Sequence, residues 1–474
     1  MTDTPTYALS RDSGEPLADQ IVRVIAARID ERLLRPGARM PSIRQFAVSH
    51  GVSPFTVVAS YDRLVAQGYL DSRRGAGFFV RERAQPAYAP PRHAPDAAPA
   101  RELPTLDIAW LIRSLFRQAP LQMSPGAGVL PADWLDGQSV AKALASLSRQ
   151  NSAGLLGYGS PQGFAPLRQQ LQLKLAEFEI AAAPEQLVTT LGVTQALDLV
   201  AREFCRPGDT ILVDDPAWFL MFGSFSSMGL NVVGVRRLAD GPDLEQLAEL
   251  AARYKPCLYV INSVLHNPTS TSLSAAKAYQ VLRLAEQHGF MVVEDDIYAD
   301  LHSGSATRLA ALDGLRRVIY LGGFSKSMAP NLRVGFIATS NERAARLADR
   351  KMLNTLSTSD IGERVVYKIL SEGLYRKHLD RVRSRLDAVR PKALRQLEAL
   401  GLRPEPAPGA GMFVWVDCGR DTSELAARAM QDGLLLAPGS LFSPQQRAST
   451  RMRLNVAALQ DAGTLRLLER VLAG

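Results

Sequence analysis

Lysine is nearly missing from this sequence. The 474-residue chain carries nine lysines against 46 arginines, and its first 83 residues have none. Where positive charge alone is wanted, arginine supplies it. A lysine in an apolar setting is therefore a candidate for amine chemistry, because an amine can lose its proton and attack a carbonyl and a guanidinium cannot. Cysteine is scarce too. Cys205, Cys257 and Cys418 are odd in number and widely spaced, so they predict neither a disulfide nor a metal set and suit a reducing cytosol. No cluster of His and Cys exists to hold a metal. No G-x-G-x-x-G follows an apolar strand, which excludes the usual nicotinamide-binding turn. No apolar run is long enough to span a membrane. The opening MTDTPTYALSRDSGEP has no apolar core that would mark it for secretion, so a cytoplasmic location is expected. No repeat of solenoid or propeller period is present.

What is there divides unevenly. The length predicts two or three domains. With 46% hydrophobic and 22% charged residues the chain is globular in composition. Residues 84–104 are dense in proline and alanine, without apolar periodicity, and read as a semi-stiff linker. They separate an N-terminal unit, 1–83, from a body, 105–474. The net charge of +8 permits nucleic-acid binding, but its placement matters more than its size. Between Arg39 and Arg83 stand seven arginines and three acids.

In the N-terminal unit, PLADQIVRVIAARIDERLL has its apolar residues at helical spacing, and RPG is expected to stop that helix at Pro36-Gly37. PSIRQFAVSHG offers a Ser42 cap, a short helix and a Gly51 stop, and SPFTVVASYDRLVAQG begins again at a Ser53 cap. YLDSRRGAGFFV reads as two strands about an Arg-Gly turn. Helix, helix, turn, helix and a basic hairpin make a winged helix-turn-helix. The segment from Met40 to Leu70 resembles the GntR-type DNA-binding domain. That resemblance implies DNA contacts from Arg44, from Ser53 and Thr56 at the start of the recognition helix, and from Arg73, Arg74 and Gly75 at the wing tip. One departure stands out, Pro54-Phe55 where relatives often place Arg-Asn. It leaves two options open: weaker base readout, or a Phe55 that touches a thymine methyl.

In the body, strand-like apolar runs alternate with helical ones, which predicts an α/β fold with a mostly parallel sheet and a ligand site beyond the carboxyl ends of its strands. GVTQ, DDPAW, HNPTS, DDIY and SKS each follow such a run and would gather at one rim. They bring a lysine, Lys326, an acid pair, Asp295-Asp296, with Tyr298 nearby, Asn267, Trp218, and Ser325, Thr194 and Arg333 as phosphate donors. That inventory suits pyridoxal 5′-phosphate (PLP), whose aldehyde needs a lysine, whose ring nitrogen needs an acid and whose phosphate needs hydroxyls, N–H groups and an arginine.

At these residues the body resembles fold-type I PLP enzymes, the aspartate-aminotransferase-like group. The resemblance implies a Schiff base on Lys326, Asp295 at the ring nitrogen, Tyr298 and Asn267 at the ring oxygen, and Trp218 stacked on the ring. Gly192, Val193, Thr194, Ser325 and Arg333 would bind the phosphate, and Tyr158 would reach the phosphate of a partner subunit. Arg453 would grip a ligand carboxylate, and a small C-terminal α+β subdomain would carry it. No metal is implied. Ser270 and Ala410 stand where relatives usually have glycine. Each residue alone has a plain structural reading, as a surface charge, a strand-end cap or a turn; it is their order that carries the likeness. His266 and His288 read as structural.

Together the halves resemble the MocR subgroup of GntR regulators. This implies a cytosolic bacterial transcription factor, homodimeric through the body with its DNA-binding units crossing between chains, that binds promoter DNA. It would sense an amino compound, or PLP itself, through Schiff-base exchange at Lys326. The alternative is a working aminotransferase with an accessory DNA-binding domain; whether the chain is an enzyme stays open. A pure protein-interaction module is a third reading.

Overall fold

The computed structural model describes residues 9–11, 13–82, 124–150, 156–406 and 408–473. The expected linker, 84–104, and Arg83 lie outside the described residues. The chain separates into two compact units.

The smaller unit holds three helices, α1 (Leu17–Asp30), α2 (Ile43–His50) and α3 (Pro54–Ala66), then two strands, β1 (Leu70–Arg73) and β2 (Gly77–Val80). The caps are those the sequence predicts. Ser42 closes a capping box with Gln45, Gly51 ends α2 at φ +62°, and Ser53 accepts from the Thr56 N–H at the start of α3. Ile25, Phe46, Val57, Tyr61, Leu64 and Leu70 are fully buried and make its core. β1 and β2 pair antiparallel, Leu70 opposite Val80, around Gly75 at φ +76°, a conformation that favours glycine. Two details differ from expectation. Helix α1 stops at Asp30, ahead of Pro36-Gly37, because Arg32 already adopts φ +59°. Arg63, counted among the basic residues, is paired with Asp19 and its charge is locally spent.

The larger unit is built on an eight-stranded sheet of β3 (Leu187–Thr190), β4 (Thr210–Asp215), β5 (Asn231–Leu238), β6 (Gly241–Pro242), β7 (Leu258–Ile261), β8 (Met291–Asp295), β9 (Val318–Gly323) and β10 (Gly335–Ala338). Their order is β3-β10-β9-β8-β7-β4-β5-β6. The run from β9 to β5 is parallel, with Val213, Val260, Val293 and Ile319 in register across it; β10 pairs antiparallel with both its neighbours. Every residue of β3, β7 and β9 is buried, as expected where helices cover both faces. The parallel strands end at Asp215, Ile261, Asp295 and Gly323, so their carboxyl ends share one rim. A second, antiparallel sheet of β11 (Arg403–Pro404), β12 (Phe413–Asp417), β13 (Ala437–Pro438) and β14 (Arg451–Asn455) runs in the order β11-β12-β14-β13.

The cysteine reading needs correction. Cys205, just after the helix Val193–Phe204, and Cys257, just before β7, form a disulfide with Cα atoms 6.2 Å apart. Fifty-two residues of sequence separate them, and only the sheet register brings them together. Cys418 is the free cysteine. The spacing argument for a reducing compartment falls with that pairing. No helix among the described residues is long and apolar enough to cross a membrane.

Candidate ligand site and candidate nucleic-acid interface

Lys326 follows β9 on the loop that returns through β10, and its Nζ donates to the Gly128 carbonyl at 2.8 Å. Burial, reinforced by the nearby Arg453 cation, lowers its amine from the usual lysine range to about 8, against an opposing pull from Asp295. Asp295 closes β8 and is 8% exposed. Burial raises its carboxyl to about 7, and among the described residues the one donor to its side chain is the Ile297 N–H at 3.2 Å. Asp296, next in sequence, is spent differently. It accepts from Arg308 Nε at 2.6 Å and from the Tyr320 hydroxyl at 3.0 Å. The acid pair thus splits into one carboxyl tied to a buried arginine and one left available at the rim.

Asn267 is 3% exposed and central. Its Nδ2 donates to the Tyr298 hydroxyl at 3.2 Å, its Oδ1 accepts from Arg453 Nη1 at 2.9 Å, and its N–H donates to Asn262 Oδ1 at 2.8 Å. Burial holds the Tyr298 phenol above its ordinary range. Arg453, on β14, is 2% exposed and packs its guanidinium 4.4 Å from the Phe413 ring centroid and 5.0 Å from that of Phe442. Burial lowers it to about 10. Its Nη2 donates to the Gly126 carbonyl at 2.5 Å, while its Nε finds no partner among the described residues.

On the far side of Lys326 the helix Val193–Phe204 begins at Gly192, φ +78°, with no side-chain cap. Among the described residues none accepts from its first N–H groups, at Val193 and Thr194. A Cβ on Gly192 would come within 2.9 Å of Arg333 Nη2. Arg333 donates to the Leu191 carbonyl at 2.7 Å and reaches solvent. Ser325 and Trp218 are partly buried beside the same rim. Tyr158, by contrast, is 88% exposed and is not brought to the other groups of its own chain.

These residues fit PLP. A helix N-terminus without its own cap, a glycine at which a side chain would block an arginine, and a buried carboxyl that makes no ion pair among the described residues each ask for an outside group: phosphate for the first two, a protonated ring nitrogen for the third. No group of three or more His, Cys, Asp or Glu placed to hold a metal exists among the described residues.

Both glycine departures are now explained in part. Ser270 takes φ +55° and clamps Phe413: its Oγ donates to the Phe413 carbonyl at 3.0 Å and accepts from the Phe413 N–H at 3.3 Å. Ala410 has ordinary backbone, and the left-handed φ of +85° falls on Gly411. His266 is buried against Thr269, and His288 ends a helix.

Sequence reasoning missed the residues that hold the site together. Gly126 and Gly128 carry the carbonyls that Arg453 and Lys326 use. Asn455 donates to the carbonyls of Ala127, at 3.2 Å, and Val129, at 2.7 Å. Asn455 lies two residues past Arg453 on one strand, hence on the same face, and that spacing was a signal. Asn262 donates to the Asp295 carbonyl at 2.6 Å and gave no sequence signal at all.

In the smaller unit Arg44, Arg73 and Arg74 are exposed, and Arg73 lies 4.5 Å over the Phe79 ring. Ser53 and Thr56 are at the N-terminus of α3 as predicted, but their hydroxyls bond each other at 2.8 Å. Gly75 makes the wing turn.

Residues 125–471 match the family Aminotransferase class I and II, and residues 17–80 match Bacterial regulatory proteins, gntR family. The chain belongs to the aminotransferase class I and II family, whose membership implies PLP as cofactor, and it carries a GntR helix-turn-helix domain in front. That fusion is the MocR-type GntR regulator architecture, and it makes the chain a DNA-binding regulator with an aminotransferase-like PLP domain. The HTH-type transcriptional regulator YdcR of Escherichia coli is 29% identical over 94% of each chain. The probable rhizopine catabolism regulatory protein MocR of Rhizobium meliloti is 29% identical over 81% of this chain and 77% of its own. The 2-aminoadipate transaminase of Thermus thermophilus is 35% identical over 77% of this chain and 94% of its own. The crystal structure of LysN, an α-aminoadipate aminotransferase of Thermus thermophilus, superposes with a TM-score of 0.70 at 29% identity, covering 77% of this chain and 94% of that one.

Proposed function

We propose that this chain is a transcriptional regulator that senses an amino compound at Lys326 and Arg453 and changes its hold on promoter DNA in response. One observation carries the reading. The two cationic side chains that an amino acid and the cofactor would engage, Arg453 and Lys326, both donate to the backbone of one segment, at Gly126 and Gly128. That segment lies early in the body, which begins at residue 105 after the expected linker. A ligand carboxylate competes with the Gly126 carbonyl for Arg453, a bidentate partner for a monodentate one. On this reading, occupancy of the site changes what holds a segment that lies, in sequence, on the side of the DNA-binding unit. Such a device works only if the ligand favours one arrangement of that segment over the other.

Bound at this site, PLP supplies an aldehyde that condenses reversibly with primary amines. The residues do the rest. At pH 7 an amine titrating near 8 is about one-tenth neutral, against about 0.03% for an ordinary lysine, so Lys326 is poised to react. Asp295 would hold a proton at the ring nitrogen; a cation beside it draws its carboxyl back toward the ordinary range. Asn267 and Tyr298 would donate to the ring oxygen, and Trp218 would cover the ring face. Gly192, Val193, Thr194, Ser325 and Arg333 would bind the phosphate. The exposure of Tyr158 supports its reaching a partner subunit in a homodimer that exchanges its DNA-binding units. Domain limits at 1–83, 84–104 and 105–474, a cytoplasmic location, and DNA contacts from Arg44, Ser53, Thr56, Arg73, Arg74 and Gly75 belong to the same reading.

A second reading, an active aminotransferase with an accessory DNA-binding domain, is favoured by the 35% identity to 2-aminoadipate transaminase and by an intact Lys326, Asp295 and Arg453. One experiment separates them. Amino acids are added to the PLP-loaded protein while visible absorbance, keto-acid formation and DNA affinity are followed. A spectral change without keto-acid turnover, accompanied by altered DNA affinity, supports sensing. Sustained keto-acid production with unchanged DNA affinity supports the enzyme.

A further inference from the structure

The outward face of the recognition helix is hydrocarbon over its first turns, as far as the exposed Asp62. Along α3, Val57, Ser60, Tyr61 and Leu64 turn inward and are buried, while Phe55 is 88% exposed and Val58 37% exposed. Ala59, on the same outward side, is exposed as well. Positions three and four apart on a helix are neighbours, so Phe55, Val58 and Ala59 form one patch. No charged side chain occurs between Ser53 and Tyr61. The polar groups nearest the patch are committed: Ser53 Oγ accepts from the Thr56 N–H at 3.0 Å, and the two hydroxyls bond each other at 2.8 Å. The N-terminal turn of α3 is therefore short of free donors and acceptors for base edges, although exposed Arg44, Arg73 and Arg74 flank it with the charge that attracts phosphate.

We propose that Phe55, with Val58 beside it, is a thymine-methyl reader. In the major groove only one base-edge feature is matched by hydrocarbon, the C5-methyl of thymine. The half-site then carries thymine where the first turn of α3 enters the groove, with its methyl packed on the Phe55 ring, and the arginines fix position without choosing sequence. This rests on the DNA-binding reading of the smaller unit.

The test uses the full chain. Duplexes are selected from a randomised library, and each thymine of the selected duplex is then replaced singly by uracil, which removes one methyl and leaves base pairing intact. Burying one methyl corresponds to about four-fold in affinity. The expected result is a loss of about that size at one or two positions per half-site, absent in Phe55→Ala and retained in part by Phe55→Leu. Phe55→Ala should also weaken the thymine duplex about ten-fold. The uracil scan on the unaltered protein needs no variant to fold. A selected duplex in which no uracil matters overturns the proposal and leaves DNA binding standing. The same holds if Phe55→Ala keeps every uracil penalty, or changes self-association rather than DNA affinity. A library that yields no duplex with salt-dependent binding overturns the DNA-binding reading itself.

Discussion

Two helix N-termini in this chain are built in opposite ways. Helix α3 opens with Ser53, whose hydroxyl takes the Thr56 N–H, so the terminus satisfies itself. The Val193–Phe204 helix opens with Gly192, which has no side chain to offer, so its first N–H groups await an acceptor from outside. The first terminus presents an apolar surface, and the second an anion site. A helix end becomes a phosphate site when the protein declines to cap it, and the identity of one residue, serine or glycine, decides which.

The largest expected effect breaks the open site alone. Lys326→Ala removes the amine, and the protein should lose covalent PLP capture and its visible absorbance entirely. Arg44-dependent DNA affinity, measured without cofactor, should be unchanged. If cofactor-free DNA binding also collapsed, the division of labour between the units would be wrong.

Replacing each cap residue by alanine is the next test. Gly192→Ala puts a Cβ 2.9 Å from Arg333 Nη2 at φ +78°. It should cost about 1 kcal/mol of stability or more and reduce PLP affinity at least about ten-fold. Ser53→Ala should cost about 1 kcal/mol, seen in the melting of the smaller unit, with no change in PLP affinity. Equal PLP affinity for both variants would erase the contrast.

A pH titration sharpens the electrostatics of the open site. Capture of PLP needs the neutral amine, so its rate should rise with pH and level off above about 8, the value to which Lys326 is lowered. The linked stability has the matching sign. A folded-state value below the unfolded one gives a contribution present above the ordinary lysine range and lost as pH falls through about 8. Arg453 is the leading charged contributor to that lowering, so Arg453→Gln should move the plateau to higher pH.

The smallest effect is expected at Ser270. Replacing it with glycine relieves a left-handed residue but removes two hydrogen bonds to Phe413. These terms are each about 1 kcal/mol and opposed, so melting should shift by no more than about 4 °C. A larger loss would make Ser270 a principal tie between the loop bearing Asn267 and the second sheet.

Much of this was legible in the sequence because local chemistry fixed it. The caps at Ser42, Gly51 and Ser53, the βα alternation, and the clustering of Lys326, Asp295, Asn267 and Arg333 follow from short motifs and from where parallel strands end. What stayed hidden depends on groups far apart in sequence. Gly126 meets Arg453 across the larger unit, Cys205 meets Cys257 through sheet register, and Asn262 acts through a carbonyl. Asp295 and Asp296 are both buried, and it is the distant partners Arg308 and Tyr320 that set Asp296 apart from its identical neighbour. The length of α1 was misjudged because one positive φ at Arg32, not a proline, ends it.

The central claim, that ligand occupancy at Arg453 and Lys326 is felt at the DNA, has one direct measurement. The affinity of the full PLP-loaded chain for a selected duplex is titrated with and without saturating amino acid, beside an Arg453→Gln control. The expected result is a change of about five-fold or more that the control lacks. An affinity unchanged by every ligand that alters the cofactor's absorbance would contradict it.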